Sequence, residues 1–108
     1  MADTNIGSAV QSRPDLASVF RQLADDWYEA TAGLSFVQKK IAHPAYYQII
    51  GLGPDVLPLL LCELRESRSH WFWALYSIAR EDPVRPGANL DQSIEDWLRW
   101  GKTRGLID

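Results

Sequence analysis

A chain of 108 residues, 46% hydrophobic and with five tryptophans, carries enough apolar surface for one compact core and little for a second domain. A net charge of −3 argues against a general polyanion binder. The single cysteine, Cys62, excludes an internal disulfide framework and a thiolate zinc cluster, and it fits a reducing compartment, so a cytoplasmic location is expected.

Residues 1 to 12 are small and polar apart from Ile6 and Val10, as in a loosely docked leader ahead of a single domain over 13 to 108. They lack the basic and apolar regions of a secretion signal, and no apolar run approaches the ~20 residues that span a bilayer. Ser12, with Pro14 in the first turn and Asp15 three residues on, predicts a helix start. Leu16, Val19, Phe20, Leu23, Trp27 and Ala30 then recur at helical spacing, opposite Gln22, Asp25, Asp26 and Glu29. This helix should end before Gly33. Residues 34 to 42 read as a connector with Lys39 and Lys40 solvated. His43-Pro44 marks a second start, because the residue before a proline avoids helical backbone while proline suits the first turn. A short helix through Tyr46, Tyr47, Ile49 and Ile50 follows, stopped by Gly51 and Gly53.

Pro54 opens the next helix, over 54 to 66. There a 100° step spreads Val56, Leu57, Leu59, Leu60, Leu61 and Leu64 over roughly 200°, too wide for a surface helix. From Ser69 to about Glu81 the apolar arc is wider still. Trp71, Leu75 and Ile78 form one stripe, flanked by Phe72 and Ala79, whereas Trp73 and Tyr76 point away from it. Two adjacent wide-faced helices imply a central hairpin covered on both sides. Asp82-Pro83 should end the second of them, with a loop through Pro86-Gly87. Asn89, able to cap with Gln92, starts a last helix bearing Leu90, Ile94, Trp97 and Leu98 on one face, closed by Gly101 or Gly105. The expected fold is all-α, about five helices with negligible strand.

Candidate chemistry is sparse. His43 and His70, 27 residues apart, have no metal-ligand spacing with Glu63 or Glu81. His43 reads as a helix-start residue bonded to nearby backbone, and His70 as a first-turn residue. Cys62, at the polar edge of an apolar helix, resembles a small buried hydrophobe more than a nucleophile. Ser69 and Ser77 lack a nucleophile elbow, and Gly51-Leu52-Gly53 runs into proline rather than into a phosphate cradle. Glu63 falls inside the apolar arc of its helix and is expected to reach solvent or to pair with Arg65, Arg68 or Arg80. No catalytic, metal or cofactor residue is therefore expected.

The run Gly53-Pro54-Asp55-Val56-Leu57-Pro58-Leu59-Leu60-Leu61-Cys62-Glu63-Leu64, followed by Trp73-Ala74-Leu75-Tyr76-Ser77-Ile78, resembles one HEAT-like repeat, a unit that stacks into protein-binding solenoids. A lone unit cannot bury its own faces, so flanking helices would have to cap it. The segments His43-Pro44-Ala45-Tyr46, Ile49-Ile50-Gly51 to Pro58, His70 to Leu75 and Asp82-Pro83-Val84 are similar to a group of short, uncharacterised bacterial proteins. That resemblance implies a small accessory or antitoxin-like member of a two-gene pair, with a protein partner encoded nearby.

The residues themselves point to a non-enzymatic interaction module. Trp73, Tyr76 and Arg80 share the face away from the core, and these are the residue types that dominate binding hot spots. The competing expectation is that the first or last helix covers this face, with Trp27 or Trp97 stacked on it. A second function class is a nucleic-acid-binding accessory using Lys39, Lys40, Arg99, Trp100, Lys102 and Arg104, where charge neutralises phosphate and tryptophan stacks on bases.

Overall fold

Among the described residues the first helix starts at Leu16. In the computed structural model, which describes residues 15–108, α1 spans Leu16–Thr31; Asp15 is its N-cap, with extended backbone and a carboxylate that accepts from the Ser18 N–H at 2.7 Å. Ser12 and the leader over 1 to 12 lie outside the described residues. Phe20, Ala24, Trp27 and Thr31 recur every three or four residues and bury one face of α1.

The expected connector contains α2, Val37–Ile41. This one-turn helix buries no residue fully, and it is held from outside by the Trp27 indole, whose Nε1–H donates to the Lys40 carbonyl at 2.7 Å. His43 caps α3, Pro44–Gly51, its Nδ1 accepting from the Ala45 N–H at 3.1 Å. Gly53, at φ 83°, takes a backbone that L side chains rarely adopt and turns the chain into a 3₁₀ turn, Pro54–Val56, before α4, Leu57–Ser67. The helix expected over 54 to 66 is thus tighter in its first turn, where Pro54 and Pro58 withhold N–H donors.

α5, Phe72–Ala79, is shorter at both ends than the periodicity predicts. Arg80, not Asp82-Pro83, terminates it, in left-handed backbone at φ 60° and with its N–H on the Tyr76 carbonyl. α6, Leu90–Thr103, opens with the expected reciprocal pair: the Asn89 side chain accepts from the Gln92 N–H, and the Gln92 side chain accepts from the Asn89 N–H. Gly101 does not close α6. It lies within the helix, where a Cβ would sit 2.6 Å from Leu61 Cδ1 of α4, and Gly105, at φ 73°, follows the true end.

Six α-helices and no strand are present among the described residues, an all-α fold with one helix more than expected. α1 packs on α3, α3 on α5, and α4 on both α5 and α6. One cluster runs through all of these, with Trp27, Tyr46, Ile49, Leu60, Leu61, Leu64, Trp71, Leu75 and Trp97 essentially inaccessible. No single helix is long and apolar enough to cross a membrane.

Candidate interaction groove

The rings of α5 and the residue before it separate as the helical angles predict. Trp71, Ala74 and Leu75 are buried. Trp71 sits among Trp27, stacked Tyr46 and edge-on Tyr28, at ring centroids of 4.6, 5.5 and 5.9 Å. Its indole N–H donates to Tyr28 Oη at 3.2 Å. The Tyr28 hydroxyl in turn donates to Glu63 at 2.5 Å, and Arg21 of α1 holds both Glu63 oxygens at 2.8 and 3.3 Å.

Glu63 pairs with none of the arginines expected of it. Its side chain is only 12% exposed and lies under α1, so the nearest cation is Arg21, 42 positions away in the sequence. Burial alone would raise this carboxyl. The hydrogen bonds from Arg21 and Tyr28, with the Arg21 charge, outweigh burial and hold it below its ordinary range. The tie joins α1, α4 and the entry to α5, and it leaves both carboxylate oxygens occupied by protein donors.

Trp73 and Tyr76 face outward at 49% and 44% exposure, neighbouring each other at 5.5 Å. Neither α1 nor α6 covers them. Trp27 is turned into the core against Trp71, and Trp97, itself buried, lines the same groove as the two outward rings. That groove encloses about 680 Å³. Val37 and Ile41 of α2, Phe72, Trp73 and Tyr76 of α5, and Val84 and Trp97 line it, with His70 and Asp82 also on its surface. Beside it Phe36, the α2 N-cap, is 67% exposed.

A charge cluster that the sequence did not reveal ties the loop after α5 to α6. Arg85, in the loop after α5, donates its backbone N–H, Nε and Nη2 to Asp96 of α6 at 2.9, 2.9 and 2.7 Å. Arg99 adds a bond at 3.2 Å, and the Asp96 side chain is only 4% exposed. The Arg85 side chain first, then its backbone N–H, holds the Asp96 carboxyl far below the usual carboxylate range. Fixing Arg85 fixes Val84 beside it, and the same turn of α6 carries Trp97. His70 is half-buried where the chain enters α5; burial, then the charge of Lys40, lowers its pKa.

The remaining candidates are dispersed. Arg80 is exposed at the end of α5. Lys39 lies 5.9 Å from the Phe36 ring, and Lys40 is half-buried on α2. Arg99 is engaged by Glu95 and Asp96. Arg104 grips Glu81 through both oxygens at 2.6 and 2.5 Å and lies over the Trp100 ring at 5.0 Å, while the Trp100 N–H reaches the same carboxylate at 3.3 Å. Lys102 is exposed. Three of the six proposed nucleic-acid contacts, Arg99, Trp100 and Arg104, are thus already engaged within the molecule.

Cys62 is half-buried with Arg65 Nη2 at 3.7 Å from its sulfur. Among the described residues no three His, Cys, Asp or Glu side chains gather to hold a metal ion. Compared with known proteins, the chain matches no family model, no curated protein and no solved structure.

Proposed function

We propose that this protein is a small, non-enzymatic interaction module that binds another protein through the groove beside Trp73 and Tyr76. The observation that carries this is the exposure of both rings at an apolar concavity of about 680 Å³. Tryptophan and tyrosine exposed at a groove are the usual anchors of an interface, where a partner supplies the covering that the described residues do not. Arg80, exposed directly after α5, is the charged member of the proposed surface. The resemblance of most of residues 34 to 100 to short bacterial proteins suggests that the partner is encoded nearby, with this chain as the accessory or antitoxin-like member. The HEAT-like character of α4 and α5 fits the same role, since such hairpins serve as binding surfaces.

Site-directed photocrosslinking in the native host tests the proposal. A photoreactive phenylalanine analogue in place of Trp73 should yield one discrete protein adduct. The same residue in place of Tyr47, exposed on α3, should not. Equal, non-discrete labelling from both positions would remove the assignment.

A further inference from the structure

The carboxylates between positions 81 and 96 do not share one fate. Four of them are matched within the chain: Arg104 holds Glu81, Arg68 holds Asp91, and Arg85 with Arg99 holds Glu95 and Asp96. Asp82 is the fifth and the one that lines the groove; it is exposed and meets no cation among the described residues. One of its oxygens accepts from the Val84 N–H at 3.1 Å, which holds the carboxylate to the loop and leaves the other oxygen to solvent. No lysine or arginine lines the groove. Its histidine, His70, stays neutral at pH 7 because burial, then the charge of Lys40 outside the lining, lower its pKa from 6.5. An aromatic and aliphatic lining thus carries one formal charge, and that charge is negative.

We infer that the groove receives an arginine from an apolar segment of the partner protein, its guanidinium against the Trp73 and Tyr76 rings and bonded to Asp82. This rests on the proposed interaction role and names the chemistry that the partner must bring. A guanidinium is a planar, weakly hydrated cation that is drawn to the faces of tryptophan and tyrosine, and its fork of donors matches a carboxylate. The chain uses this combination itself: Arg104 lies over the Trp100 ring at 5.0 Å while bonding both oxygens of Glu81. The groove repeats the ring and the carboxylate of that trio without an arginine of this chain. Lysine, a compact and strongly hydrated charge that cannot stack, fits less well. An acidic segment or a nucleic-acid phosphate would bring like charge to Asp82. A second copy is a poorer occupant too. Among the described residues its one arginine that meets no carboxylate, Arg80, closes α5 in left-handed backbone rather than standing in an apolar segment.

The test uses the full chain and three short peptides of leucine and alanine around a central arginine, citrulline or glutamate, titrated by NMR on the amide resonances of the groove. Citrulline keeps the shape of arginine without its charge. The arginine peptide is expected to bind about tenfold more tightly than its citrulline twin, the sum of one exposed ion pair and one contact with the rings, and the glutamate peptide least tightly. Asp82→Asn keeps an acceptor for the Val84 N–H and should cut the preference to about threefold, with the circular dichroism unchanged. Trp73→Ala should weaken the arginine and citrulline peptides both. Equal binding of those two peptides to the native chain overturns the arginine assignment while leaving an apolar docking groove in place. A preference that survives Asp82→Asn undiminished overturns it as well. Binding of none of the three up to about 10 mM does the same, and the crosslinking at position 73 then decides the interaction role separately. Dimerisation in sedimentation velocity that Trp73→Ala abolishes puts a second copy in the groove instead.

Discussion

Two sets of aromatic residues meet at α5, and they differ less in composition than in what their polar atoms do. On the core side Trp27, Tyr28, Tyr46 and Trp71 each place a ring N–H or hydroxyl on a partner: a carbonyl, a carboxylate, a backbone amide or another hydroxyl. On the groove side the side chains of Trp73 and Tyr76 make no hydrogen bond among the described residues and remain nearly half exposed. Buried rings are held by geometry and hydrogen bonding together, so they fix the fold. The outer pair keeps both its apolar area and its polar atoms available to a partner.

Substitutions on the two sides should separate sharply. Trp71→Ala removes the ring at the centre of the core cluster and is expected to cost about 3 to 5 kcal/mol in urea unfolding. A loss under about 1 kcal/mol would mean that the inner set is loosely packed and the contrast false. Glu63→Gln keeps an acceptor for Tyr28 but removes the charge opposite Arg21, so about 1 to 2 kcal/mol is expected by the same measurement.

Acid sharpens the boundary between the sets, because His70 gives its carbonyl to the core and its ring to the groove. Its pKa in the folded chain lies below the ordinary 6.5, so the unfolded chain binds the proton more readily. Stability present above pH 6.5 is therefore lost as pH falls through the folded value. The loss continues below pH 4.5, where Glu63, also depressed, takes its proton at lower pH in the folded chain than in the unfolded one. Thermal melts that are flat from pH 7 down to pH 4 would contradict this order. The smallest effect belongs to the outer set. Trp73→Ala should change stability by less than about 0.5 kcal/mol, and a cost matching that of Trp71→Ala would show that the groove face is structural after all.

Much of this division was legible in the sequence, because an 100° step per residue places Trp71 and Leu75 on one side and Trp73 on another without any knowledge of neighbours. The caps at His43 and Asn89 were legible for the same local reason. What depended on distant residues was not. α2 is five residues long, has no fully buried position to create a period, and is ordered by the Trp27 indole from a different helix. Glu63 has three arginines within reach by sequence, yet Arg21 captures it because α1 lies over α4 at that point. The Arg85 and Asp96 cluster spans a loop whose path no spacing rule gives, and so the approach of Val84 and Trp97 to the groove was invisible although the outward rings of α5 were not. Gly101 looked like a helix stop and is a point of close helix approach, a use that needs Leu61 to be known.

The Tyr46 hydroxyl has a consequence for the order of assembly. It accepts from the Ala74 N–H at 2.9 Å and donates to the His70 carbonyl at the same distance, while Trp71, at the N-cap, supplies no side-chain cap to the helix. An eight-residue helix is too short to persist alone in water, and this one borrows its cap from α3. α5 therefore becomes a rigid platform only after α3 has docked. The exchange of the Ala74 amide with solvent should accordingly track the opening of α3 rather than local fraying of α5, and Tyr46→Phe should speed it selectively.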